Sequence, residues 1–468
     1  MLFDSPVYIV FLTVVVAIYW RLGFRNQNRF LLAMSYFFYG WWDWRFLALM
    51  FCSTTLDYYV AHRIHSAGTD RGRRGWLVFS LFVNFGTLGF FKYFNFFLDS
   101  FAHTLGLLGI HDLPTAFLRI ILPPGISFYT FQEIAYIVDV YRRRLEPATS
   151  FLDYALFVSL FPHLIAGPIQ QPSHLLPQVQ RPRLWNAEAA FSGLLLILEG
   201  LFRKCVIADN CALIANSAFE GRFGPPSIPV LLLGTYAFAW QIYGDFSGYS
   251  SIARGSAQLM NFHFMVNFRQ PYLAESLQDF WRRWHISLST WLRDYLYVSL
   301  GGNRHGNVRT YRNLLVTMLL GGLWHGANWT FVVWGGIHGG SLALERLAST
   351  KQVATYPILK RWGRRIVIFH LVCFAWVFFR APSLSAAWRM LSGIKLWHWD
   401  PQYLVALQFL VLFSLPLFAL DVLLERAGDE YLFQGFPVHA RVAVGLVALI
   451  VITLFGANQA NAFIYFRF

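Results

Sequence analysis

The sequence predicts an all-α polytopic membrane protein, and three observations carry that reading. Of 468 residues, 56% are hydrophobic and 13% charged, where soluble domains carry about 25% charged residues. The mean hydropathy is +0.45, and 47 Phe with 18 Trp lift the aromatic share to 19%. Apolar runs recur almost to the last residue. That composition excludes a disordered chain, a collagen, a coiled coil and a disulfide scaffold.

Candidate spans lie near 7–22, 30–42, 44–60, 76–100, 115–140, 151–168, 190–208, 226–246, 311–334, 366–380, 403–424 and 438–456. Several fall short of the ~20 residues that a straight crossing needs. Breaks are expected at Gly40-Trp41-Trp42-Asp43 and at Pro123-Pro124-Gly125. Short and re-entrant helices follow, and non-helical backbone at membrane depth has to be buried in protein or line a wet cavity. The first run, from Val7 to Trp20, lacks a basic segment before it and a small-residue cleavage site after it, so it reads as a membrane helix and not as a leader. No internal repeat appears, and a single membrane domain over 1–468 accounts for the chain, with core motifs in 120–340 and further helices and an aromatic tail in 366–468.

Charge sets the orientation. Lys and Arg total 38 against 24 Asp and Glu, a formal +14. In a membrane protein this reads as basic cytoplasmic loops near anionic lipid, and not as a nucleic-acid surface. Arg21, Arg25 and Arg29 are expected in one loop and Arg63, Arg71, Arg73 and Arg74 in another, joined by two short helices that return the chain to the same side. The positive-inside rule makes that side cytoplasmic and the N-terminus external. Arg142-Arg143-Arg144 and the cluster Lys360–Arg365 join it. The four cysteines, Cys52, Cys205, Cys211 and Cys373, show no metal-binding spacing and read as buried thiols.

Residues 261–310 stand apart: amphipathic, rich in Trp, Arg and Tyr, between strongly apolar neighbours. Such a stretch lies in the interface or folds back into protein. It carries His285. His325 sits deeper, in Gly321-Gly322-Leu323-Trp324-His325-Gly326-Ala327-Asn328-Trp329, where a ring nitrogen needs a partner or a job. The flanking glycines would let a backbone or a substrate come close. On one continuous helix His338 would point about 220° away from His325, which favours a structural role for it. Neither zinc, Walker-loop nor serine-elbow patterns occur. Glu133, Asp139 and Asp245 read either as a proton relay or as caps and ion-pair partners, the second being the commoner use.

Four pieces make the chain recognisable. They are Phe280-Trp281-Arg282-Arg283-Trp284-His285-Ile286-Ser287-Leu288-Ser289-Thr290-Trp291-Leu292-Arg293-Asp294-Tyr295 with Gly301-Gly302-Asn303-Arg304; Leu122-Pro123-Pro124-Gly125-Ile126-Ser127-Phe128-Tyr129; Phe161-Pro162-His163-Leu164-Ile165-Ala166-Gly167-Pro168; and Gly322-Leu323-Trp324-His325-Gly326-Ala327-Asn328. Together they resemble the membrane-bound O-acyltransferase (MBOAT) superfamily, in the bacterial branch of the alginate O-acetyltransferase membrane subunit. The resemblance implies a bundle of about 11–13 tilted, short and re-entrant helices around a tunnel. It also implies His325 as the catalytic histidine and His285 as the second family position, which is Asn or Asp in many eukaryotic members.

By the same resemblance the donor is acetyl-CoA, a substrate and not a bound cofactor, and the acetyl group crosses the inner membrane to a separate periplasmic acetyltransferase. No metal is implied. Acyl transfer from a thioester needs a base near neutrality and a donor for the developing oxyanion. His325 is expected as the base, with His285 or Asn328 as the hydrogen-bond donor and Trp284 and Ser287 as walls. Arg282, Arg283 and Arg293 are expected either on coenzyme A phosphates or on lipid headgroups. The segment Phe463–Phe468 resembles the aromatic tail of this branch, with Tyr465 either an acyl relay or an interfacial anchor. The acceptor is expected to be alginate or a similar exopolysaccharide, with peptidoglycan and cellulose open. A transporter or scaffold of a polysaccharide export system is the competing class.

Overall fold

The computed structural model describes residues 1–110, 119–165, 167–348, 357–428, 435–457 and 463–464, and among these no strand occurs. The fold is all-α, and the helices group into two compact units. Among the described residues, four helical stretches have the length and apolarity to cross a membrane: Asp70–Leu107, Ile358–Arg380, Pro401–Ala427 and Val438–Phe455; Pro6–Tyr19 is a shorter apolar helix.

The first unit holds Met1–Ala190 and Ser256–Met265. Helix α1 (Pro6–Tyr19) starts behind Ser5, whose hydroxyl accepts the Tyr8 amide, with Pro6 in the first turn; that pairing satisfies an amide the helix itself leaves bare. Helix α2 (Phe24–Asp43) is followed after one residue by α3 (Arg45–Ser66), one residue beyond the break expected at 40–43. Arg25 and Arg29 lie on the first turns of α2 and not in a loop, because the chain after Gly23 holds neither Pro nor Gly to delay the helix. Helix α4 (Asp70–Leu88) runs through a π turn into α5 (Phe94–Leu107).

Gly125, left-handed at φ 73°, then opens α6 (Ile126–Tyr141), buried on nearly every side. The short helices α7 (Phe151–Ser159), α8 (Phe161–Leu164) and α9 (Pro172–Val179) complete the unit. Inside it two buried carboxylates take hydrogen bonds from neutral donors. Asp57 takes Ser80 Oγ at 2.6 Å and Asn84 Nδ2 at 2.8 Å. Glu133 takes the hydroxyls of Ser53 and Thr54 at 3.1 and 2.9 Å.

The second unit holds Phe191–Gly255 and Val266–Phe468. Helix α10 (Ala187–Leu201) passes through a π turn, Phe202–Ala208, into α11 (Asp209–Phe219), and α12 (Ile228–Gln258) is the longest helix described. The expected amphipathic stretch folds back into protein. It forms α13 (Leu277–Arg283), α14 (Ile286–Trp291) and a π turn, Leu292–Tyr297, with Phe280, Trp284, His285 and Leu288 buried. Then come α15 (Gly306–His325), α16 (Trp329–Ala348), α17 (Ile358–Arg380), α18 (Leu384–Ser392), α19 (Pro401–Ala427) and α20 (Val438–Phe455). Of the four thiols, Cys211 and Cys373 are buried and Cys205 half-buried; Cys52 is exposed on α3, contrary to the expectation of four buried thiols.

Candidate functional site

His325 ends α15, and His285 is the second of the two residues between α13 and α14. The two rings meet at a centroid distance of 6.3 Å, both nearly or fully buried. Each is placed by a different local device. The amide of Gly326 closes the last turn of α15 and the chain then leaves the helix, so His325 stands at a helix end. Asn328 caps the next helix, its Oδ1 accepting the Thr330 amide at 3.0 Å. His285 adopts a left-handed backbone, φ 44° and ψ 54°, a conformation that Asn, Asp and His enter more readily than most residues. The turn swings its ring inward while α13 and α14 continue on either side.

The His325 ring is walled by aromatics: Trp324 at 5.1 Å, Trp334 at 5.1 Å and Phe379 at 5.4 Å. The glycines beside it admit protein. A Cβ on Gly322 would lie 2.2 Å from the Phe331 carbonyl oxygen, and one on Gly326 would lie 2.1 Å from the Phe331 ring, so α15 and α16 pack closer there than any side chain allows. His338 corrects the single-helix expectation. It lies on α16 after the break at Gly326–Asn328, and Trp334 touches both His325 and, at 4.8 Å, His338.

A residue that motif reading missed organises His285. Asn267 Oδ1 accepts from the Ser287 amide at 3.2 Å and the Ser287 hydroxyl at 2.9 Å. Because that atom receives a backbone N–H it is the amide oxygen, and the His285 Nδ1 contact at 3.1 Å is then a donation from the ring. The tautomer is inferred from the network. A neutral His285 therefore carries its lone pair on Nε2, which makes it an acceptor at that atom and not the donor expected from sequence. Phe246 stands edge-on to the same ring at 4.5 Å. Ser287 acts here through Asn267. Trp284 stacks on Phe280 and Tyr272 and touches Trp376, a wall at the centre of the core.

Asn267 also lines a cavity of about 500 Å³. Arg203, Arg254, Arg269, Arg282 and Arg283 surround it against Glu199 and Glu425, with Ser247, Ser250 and Ser251 between. Arg283 is held by Asp279 at 2.8 Å and Glu425 at 2.7 Å. Burial works against its charge, while the hydrogen bonds to Glu425 and Asp279 more than offset that and raise its pKa above the ordinary arginine value. Arg293 is not brought here: it is exposed and pairs with Asp294 at 2.7 Å. The Asn328 side chain is likewise engaged elsewhere, in its cap and on the Pro382 carbonyl at 3.0 Å. Tyr465 lies outside the described residues. Arg254 and Arg269 carry no motif signal and were missed; the one available signal was their charge, Arg254 just before the amphipathic stretch and Arg269 within it.

Two buried imidazoles, one with a fixed tautomer, behind a cationic cavity form an arrangement able to move a proton beside an anionic substrate. Comparison with known proteins places the chain in a family. Residues 142–391 match the model of the MBOAT, membrane-bound O-acyltransferase family. The chain is 44% identical over 396 residues to a "probable alginate O-acetylase AlgI" of Pseudomonas aeruginosa, covering 84% of this chain and 75% of the relative. It is 39% identical over 429 residues to a peptidoglycan O-acetyltransferase of Helicobacter pylori, covering 84% and 80%. A teichoic acid D-alanyltransferase of Streptococcus thermophilus is 29% identical over 276 residues, 53% of this chain and 63% of the relative.

Proposed function

The chain belongs to the membrane-bound O-acyltransferase family, and we propose that this multi-pass O-acyltransferase takes acetyl from cytoplasmic acetyl-CoA for O-acetylation of an extracytoplasmic polysaccharide, alginate or a similar exopolysaccharide. The observation that carries the reading is the pair His285–His325 at 6.3 Å, with Asn267 joining His285 to the arginine-lined cavity.

The cavity suits the donor. Five arginines match a ligand bearing phosphates. Its wall residue Glu425 also binds Arg365 at 3.3 Å, a member of the Lys360–Arg365 cluster that the positive-inside rule assigns to the cytoplasm. The same rule leaves the N-terminus periplasmic in a bacterial inner membrane.

In the transfer step His325 removes the proton of the accepting hydroxyl as its oxygen attacks the thioester carbon. The new C–O bond forms, the C–S bond breaks, and the imidazolium returns the proton to the leaving thiolate. His285, its Nδ1–H on Asn267, offers Nε2 to orient the hydroxyl. The acetyl group then passes outward to a periplasmic acetyltransferase, with Tyr465 as a candidate acceptor on the way. Relatives named for alginate favour that polymer, and the 39% identical peptidoglycan O-acetyltransferase supports peptidoglycan as the second reading.

The test is turnover of labelled acetyl-CoA by the purified protein supplied with its periplasmic partner, beside His325→Ala and His285→Ala. Loss of thioester cleavage by at least about 100-fold in His325→Ala is the expected result, the usual scale of a general base. No turnover by the wild type, or full turnover by His325→Ala, would overturn the reading.

A further inference from the structure

The transfer mechanism leaves one group of buried charges unused. Lys204, in the π turn Phe202–Ala208, reaches Asp209 at 2.7 Å and Asp245 at 2.9 Å, all three side chains buried. Taking three charges out of water is costly, and a packed apolar trio is often at least as stable. One of those carboxylates also holds the main chain: Asp245 Oδ2 accepts the Ile464 amide at 2.7 Å.

The segment after α20 is led to that point by two further bonds. Ala457 N donates to the Cys205 carbonyl at 3.1 Å, and Asn210 Nδ2 donates to the Phe455 carbonyl at 3.0 Å. The π turn contributes to this. Bonding at i→i+5 shifts the carbonyl ladder of the turn relative to an α-helix, and one of its carbonyls receives the passing chain. Just before the pinned amide, Phe463 is fully buried. Its ring lies 4.2 Å from Tyr249 and 5.9 Å from Phe246. Phe246 is the ring that stands 4.5 Å from His285. One aromatic ring therefore separates the pinned segment from the site.

We propose that Asp245, set by Lys204 and Asp209, is a positioning residue for acyl transfer: it fixes the Phe463–Ile464 segment against Phe246 and so completes the wall behind His285. The inference rests on the acyltransferase reading for its kinetic consequence, but not for the anchor itself.

Two readouts separate the parts. Hydrogen–deuterium exchange at the Ile464 amide, resolved by fragmentation mass spectrometry, needs no activity. Slow exchange in the wild type and fast exchange in Asp245→Ala is expected; equal exchange in both overturns the anchor, whatever the enzyme does. For the kinetic part, Phe463→Ala leaves the triad and Tyr465 in place should Asp245→Ala fold poorly. Both changes should lower kcat for acetyl transfer about tenfold with KM for acetyl-CoA within about twofold. Combined, they should cost no more than either alone, because both act through one segment. Wild-type kcat in Phe463→Ala, or a further tenfold loss on adding Asp245→Ala to it, overturns the positioning role. An inactive wild type would instead count against the acyltransferase reading, with the exchange result still deciding the anchor.

Discussion

The two units hold their buried carboxylates differently. In the first, Asp57 is held by the Ser80 hydroxyl and the Asn84 amide, and one oxygen of Glu133 by the hydroxyls of Ser53 and Thr54, all neutral donors. In the second the partners are cations: Lys204 lies between Asp209 and Asp245, and Arg283 and Arg365 share Glu425 at the cavity wall. Both units also bury polar atoms with no hydrogen-bond partner among the described residues, Glu133 Oε2 in the first and both nitrogens of His338 in the second, each at a cost of about 1–3 kcal/mol. The arginine-lined cavity and the paired histidines lie in the second unit, and that difference assigns chemistry to it and support to the first.

Three substitutions sharpen or break that contrast. Asn267→Ala has the largest expected effect. It removes the acceptor that fixes the His285 tautomer, and losing about 1.5–3 kcal/mol of positioning corresponds to a roughly tenfold to 100-fold fall in kcat, measured at saturating acetyl-CoA. A kcat within twofold of wild type would remove Asn267 from the site. Next, Arg282→Ala with Arg269→Ala should raise KM for acetyl-CoA about three- to tenfold with little change in kcat, and should flatten the rise of KM with salt. Unchanged KM would place the donor elsewhere. Smallest is the effect on catalysis in the first unit. Asp57→Ala strands Ser80 and Asn84, so thermal unfolding should come earlier, by about 1–3 kcal/mol of stability. Turnover per folded molecule should stay within about twofold. A large catalytic loss with intact folding would overturn the division.

The sequence was readable where chemistry and spacing coincide. His325 and His285 were singled out by the family resemblance of their motifs, spacing alone leaving open whether the rings meet, and Pro123-Pro124-Gly125 marked the start of α6 because Gly125 needs a left-handed backbone. Asn267 was invisible: it lies on irregular backbone between α12 and α13, and its role depends on a turn 18 residues later that no periodicity announces. The rotation counted from His325 to His338 does not apply, because the helix ends at Gly326–Asn328. Arg293 is exposed and paired with the neighbouring Asp294, away from the cavity, which leaves the headgroup alternative of its two readings.

The handedness of one turn has a consequence for what mutation can explore. With φ at 44°, position 285 admits glycine freely and Asn, Asp and His at modest strain, while β-branched residues are penalised before any chemistry is asked of them. A drifting lineage is thus confined to a vocabulary in which nearly every permitted word with a side chain brings a short polar group to the same spot. Even an altered reaction would inherit a hydrogen-bonding residue there, and the fold itself keeps that post filled.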